Sequence, residues 1–207
     1  MTASINASTS SGIVQTADTS GELALQSNGT TKLTVSSTGV ALTGASMTSF
    51  AGGVITSGTA VASTSGTSID FTSIPSWVKR ITIMFNGVST TGSYIKVLVG
   101  SGSFVTSGYV SGSSRCANAG ATSYSSDTAG YFINGGGTDV ISGIMVICNV
   151  SGNIWVSSHA TNASVNSCTI QGGGTVTNSG TLDRIRITTQ NGTDTFDAGS
   201  INILYEG

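Results

Sequence analysis

Apolar side chains in this chain do not recur at the three- and four-residue spacing of a helix. They come in short runs in which every second residue is Val, Ile, Leu or Phe, separated by Gly, Ser, Thr and Asn. Successive side chains of an extended strand point to opposite faces, so this alternation marks strands with one buried face. Ile81, Ile83 and Phe85 share one face, with Arg80 and Thr82 on the other. Ile185 and Ile187 alternate with Arg184 and Arg186, and Ile201, Ile203 and Tyr205 repeat the pattern. β-Branched and aromatic residues suit strands, whereas Gly, Asn and Ser suit the turns between them. The pattern predicts an all-β fold.

Strands are expected at 67–71, 79–86, 94–99, 104–110, 130–133, 139–150, 153–159, 167–171, 182–189 and 200–206. Many short strands with Gly-rich turns predict an antiparallel β-sandwich of jelly-roll type over residues 61–207, with a closed barrel as the alternative. Upstream, residues 21–44 carry three shorter runs, in which Leu23 and Leu25, Leu33 and Val35, and Val40 and Leu42 each alternate with polar neighbours. Asn28-Gly29 between the first two runs is a hairpin signal. Six aliphatic side chains bury too little surface to offset the ordering of this segment, so its apolar cover is expected from the following domain or from other copies of the chain. Residues 21–60 are therefore read as a short β shaft and connector. Residues 1–20, rich in Ser, Thr and Ala, are read as an extended segment that needs a partner to order it.

Only 8% of the 207 residues are charged and the formal net charge is −2. The seven Lys and Arg are scattered, which argues against a phosphate-tracking, nucleic-acid-binding surface. No run of residues approaches the ~20 apolar positions of a membrane-spanning helix, and the N-terminus lacks the basic and apolar regions of a signal peptide. Synthesis in a reducing cytoplasm is the expectation, and Cys116, Cys148 and Cys168 lack zinc-site spacing. Cys148, within an apolar run, is read as a buried thiol. No cofactor and no metal is expected. His159, the sole histidine, has no nucleophile-elbow sequence near it and reads as a strand-end residue rather than a catalytic one. Asp194 and Asp197 read as turn residues, and the runs at Gly135 and Gly172 as turns or places of close backbone approach. Trp77, beside the only proline, reads as a packing residue. The stretch Gly108–Gly130 is read as loop-rich, with Tyr109, Arg115, Asn118, Tyr124 and Asp127 as candidates for contact with a glycan or protein surface, or with a neighbouring subunit.

The stretch from Gly66 to Ser89, with Ile74-Pro-Ser-Trp-Val leading into the strand, resembles a recurring segment of tailed-bacteriophage fibre and spike proteins. So does the ending from Leu182 to Glu206, and the 21–44 pattern is similar to the strand repeats of phage fibre shafts. The resemblance implies a non-enzymatic, homotrimeric component of the virion: a tail fibre, spike or head fibre attached to another particle protein through residues 1–20. Its shaft would use Leu23, Leu25, Leu33, Val35, Val40 and Leu42, and its head would be open to a host surface receptor. A capsid decoration protein with no receptor role is the alternative, and a polysaccharide depolymerase a more distant one.

Overall fold

A computed structural model describes residues 23–37, 39–42, 55–117, 120, 122–165 and 167–207. The segment 1–20 and Asn118 lie outside the described residues. The chain divides into two compact units, Met1–Gly52 and Gly53–Gly207.

In the first unit, β1 (Leu23–Ser27), β2 (Thr30–Ser36) and β3 (Gly39–Leu42) form an antiparallel sheet in that order. Asn28 and Gly29 have φ of 51° and 71°, the left-handed pair that a two-residue type I′ hairpin requires. The register sets Leu23 against Val35, Leu25 against Leu33, Leu33 against Leu42 and Val35 against Val40. Directly opposed residues share a face, so the register gathers these aliphatic positions on one side of the sheet. Leu23, Leu25, Val35 and Val40 nevertheless remain 43%, 41%, 38% and 67% exposed.

The second unit is an all-β sandwich with no helix among the described residues. Its strands are β4 (Ile55–Ser57), β5 (Val61–Ala62), β6 (Ser68–Thr72), β7 (Arg80–Thr90), β8 (Tyr94–Ser101), β9 (Ser103–Phe104) and β10 (Val110–Ala117). They continue with β11 (Thr122–Asp127), β12 (Tyr131–Gly136), β13 (Ile141–Ser151), β14 (Ile154–Ala163), β15 (Cys168–Thr177), β16 (Arg184–Thr189) and β17 (Phe196–Glu206). The larger sheet runs β11-β10-β15-β14-β13-β7-β17-β4, with β5 also on β17; the smaller runs β12-β8-β16-β6, with β9 on β8. Strands close in sequence alternate between the sheets, β6 and β8 in one and β7 and β10 in the other. This is jelly-roll interleaving, with the β13–β15 meander and β17 widening the larger sheet.

The alternating runs supply the core. Ile81, Ile83 and Phe85 of β7 and Met145 and Ile147 of β13 pack in one cluster with Val97 and Val99 of β8 and Ile185 and Ile187 of β16. Cys168 is the buried thiol; Cys148 is only half-buried and Cys116 is exposed, which corrects the reading of Cys148. Residues 55–57, read as connector, pair with β17, Leu204 opposite Ser57 and Glu206 opposite Ile55. Asp197 falls within β17 rather than in a turn, and the Ser89 hydroxyl donates to it. Gly172 to Gly174 lie mid-strand in β15, not in a turn.

The largest departure is between 104 and 130. Instead of a strand over 104–110, β9 stops at Phe104 and β10 begins at Val110. At the end of the break, after Gly108 with φ of 82°, Tyr109 turns inward, to 1% exposure. Its hydroxyl accepts the Val99 N–H at 2.9 Å and donates to the Val105 carbonyl at 3.2 Å, and its ring meets Tyr131 edge-on at 5.0 Å. Tyr109→Phe should leave the buried Val99 N–H without that acceptor and lower stability by about 1–3 kcal/mol. The check is urea unfolding, where the midpoint falls while the slope is kept.

Candidate functional site

The stretch read as loop-rich is largely an antiparallel hairpin. β10 and β11 pair from Ser111 opposite Asp127 to Cys116 opposite Thr122, and β10 continues the larger sheet through β15. Few aliphatic residues hold these strands. Gly112 faces Gly173 and Ser111 faces Gly174, so glycine brings two backbones together with almost no side chain between. Tyr124 stands opposite Ser114, and its phenol leans back over Gly112, where any Cβ would collide with the ring and its hydroxyl. Packed on bare backbone, the ring remains 71% exposed. It walls a trough of about 540 Å³ lined also by Val110, Ser126, Asp127, Gly173 and Thr175. Asp127 sits at this trough with both oxygens engaged, Oδ1 by the Ala129 N–H at 2.6 Å and Oδ2 by the Gln190 amide at 3.2 Å.

The five contact candidates thus separate. Tyr124 and Asp127 come together at the trough. Tyr109 contributes to its lining but is buried, pinned in the core as described, so its ring offers no platform to an external ligand. Arg115 points inward and forms a two-pronged ion pair with Asp139, with the two side chains 18% and 3% exposed. That carboxylate holds the guanidinium pKa above its ordinary value, and the charge is spent inside the fold rather than offered to a receptor. Asn118 is outside the described residues. Trp77 is 40% exposed and lies against Tyr205, ring centres 6.0 Å apart.

His159 is not at an exposed strand end; it is buried mid-strand in β14, 6% exposed. Its Nε2 lies 3.0 Å from Ser113 Oγ, a serine–histidine pair brought together across 46 residues of chain with no sequence signal. This geometry does not make an open catalytic dyad. Ser113 is 1% exposed, its hydroxyl also accepts the Asn134 N–H at 3.2 Å, and His159 Nδ1 has no protein partner to orient the ring. Ser113 can donate to the Gln171 carbonyl at 3.3 Å, in which case it takes the Nε2–H and leaves Nδ1 as a bare lone pair. Burial lowers the imidazole pKa from 6.5 to about 4. Nor does any group of three or more His, Cys, Asp or Glu among the described residues form a metal site.

Two expectations follow from these placements. Arg115→Met should take the guanidinium away from the buried Asp139 carboxylate and cost about 1.5–3 kcal/mol. Tyr124→Ala, which touches only the surface, should stay within about 0.5 kcal/mol. Parallel thermal melts check both. For His159, the folded pKa lies below the unfolded one, so between pH 6.5 and about 4 the unfolded chain takes up a proton that the folded chain refuses. Stability should therefore fall by about 3 kcal/mol as the pH drops through that window and then level, and His159→Gln should remove this part of the slope in a series of unfolding curves.

The chain matches no protein-family model, no curated protein and no solved structure.

Proposed function

We propose that this chain is a non-enzymatic structural protein of a tailed-bacteriophage particle, a fibre, spike or head fibre that works as a homotrimer. The observation that carries the reading is the uncovered aliphatic ladder of β1–β3. Leu23, Leu25, Val35 and Val40 are gathered on one face of a three-stranded sheet and left 38% to 67% exposed within the single chain. A sheet of three short strands needs an apolar face packed against something to be stable, and three copies turning the same ladder toward one axis supply that cover to one another. The resemblance of 21–44 to fibre-shaft repeats favours three chains and a virion setting. Residues 1–20 would then attach the trimer to another particle protein.

The trough beside Tyr124 is the part of the sandwich best suited to contact a host surface. An exposed aromatic ring, hydroxyls from Ser126 and Thr175, and a carboxylate fit a neutral hydroxyl-rich glycan or a protein loop. Three weak sites on one particle protein would act by avidity.

Light scattering after size exclusion on the full chain should give three times the chain mass. Leu25→Asp and Leu33→Asp each place a charge in the ladder and should abolish the trimer. A variant that still assembles would remove the shaft from the assembly, and a monomeric parent protein would overturn the homotrimer.

A further inference from the structure

The two outer faces of the sandwich differ in kind. On the smaller sheet the outward row carries charge: Arg186 pairs with Asp70 at 2.7 Å, Arg184 pairs with Asp183 at 2.7 Å, and Phe104 lies under both guanidiniums. On the larger sheet the register defines outward rows of another composition. One runs Thr175, Val156, Cys148, Arg80, Glu206; the next runs Gly173, Ser158, Val146, Thr82, Leu204; a third runs Gln171, Ala160, Ile144, Met84, Asn202. Arg80 and Glu206 are the only charges in these rows, and they pair with each other at 3.0 Å. Ile144, Ile154 and Val156 stand 48%, 41% and 37% exposed on this face.

We infer that the outer face of β15-β14-β13-β7-β17 is an interface with further copies of this chain. This rests on the homo-oligomeric reading above and assigns it a surface on the sandwich. The occupant follows from size and charge. Five strands about 4.8 Å apart span about 24 Å, and ten residues of strand about 33 Å, so the face covers roughly 800 Å². That is about what one partner contributes to a standard stable interface. A nucleic acid or an acidic partner would need unpaired cations here, and the one arginine is already neutralised by Glu206. A surface with no net charge, aliphatic side chains and short hydroxyls matches another copy of itself, since neither side strands a charge on desolvation. The interface ends at β15. The Tyr124 trough borders it, sharing Gly173 and Thr175 of β15 with the outward rows, and so sits at the margin of the subunit contact.

Cys148 is a reporter built into the face, half-buried among these rows, while Cys116 on β10 is exposed beyond it. In the assembled full chain, thiol alkylation followed by peptide mass mapping should label Cys116 and spare Cys148. Ile144→Lys and Ile154→Lys introduce charges at exposed positions, so the fold should hold, as thermal melting verifies. Each should lower the solution mass at a given concentration and raise Cys148 labelling at least tenfold. Thr72→Lys, on the smaller sheet, should change neither. An oligomer whose mass and Cys148 labelling ignore both Ile substitutions would overturn this interface while leaving the homotrimer in place. Conversely, a dimer or tetramer dissociated by them would support the interface and overturn the trimer. A parent protein that is monomeric with Cys148 freely labelled would overturn both.

Discussion

Ile81, Ile83 and Ile147 on the larger sheet and Val97, Ile185 and Ile187 on the smaller are all fully buried, and the two sheets exist as a sandwich because these faces close on each other. Each such side chain contributes about 1.5–3 kcal/mol on leaving water, and the contribution has no direction. Direction comes from hydrogen bonds that the burial then forces to be made. Tyr109 enters the core only because its hydroxyl finds Val99 and Val105, and Tyr131 only because its hydroxyl reaches the Trp155 carbonyl at 2.8 Å. One strand breaks the rule. Trp155, Ser157, His159 and Thr161 all turn inward from β14, and each has a buried polar atom without a protein partner among the described residues. The core is thus apolar around β7 and β16 and polar along β14, and the acid sensitivity of His159 belongs to the polar part.

What was legible in the sequence follows the same physics. Strands that bury one face against a core show it as alternation, and β7, β16 and the end of β17 were readable for that reason. Asn28-Gly29 was readable because few residue pairs tolerate two left-handed conformations in a row. The β10–β11 hairpin was not. Its strands are dominated by Ser, with Gly and Thr, which read as loop, and they form because β15 offers a matching glycine-lined edge far along the chain. The candidate site suffered most from this. Tyr124 and Asp127 do meet at the trough, but the inward turn of Tyr109 and the pairing of Arg115 with Asp139 depend on contacts that no local pattern announces. Ser113 and His159 are likewise joined only by the sheet.

Scarcity of charge shapes what remains outside. Each of the four arginines is in an ion pair: Arg80 with Glu206, Arg115 with Asp139, Arg184 with Asp183 and Arg186 with Asp70. Exposed pairs of this sort add little stability, generally below about 1 kcal/mol. Their larger effect is to leave the surface electrically quiet. Ser and Thr hydroxyls keep such a surface wetted where they dominate, as on β11, yet the outer face from β15 to β17 of the same sheet alternates them with Ile, Val, Met and Leu. A protein with few charges has little long-range repulsion to hold its copies apart.

The proposed assembly then has two contact regions on one chain, the β1–β3 ladder and the outer face of the sandwich, and their coupling matters more than the strength of either. Once one region has joined two copies, the second forms at the effective concentration set by the tether between them rather than at the bulk concentration. A short aliphatic ladder and a face rich in hydroxyls can each be weak and still give a lasting complex. In the proposed assembly the full apolar area is withdrawn from water only in the register where both regions engage together.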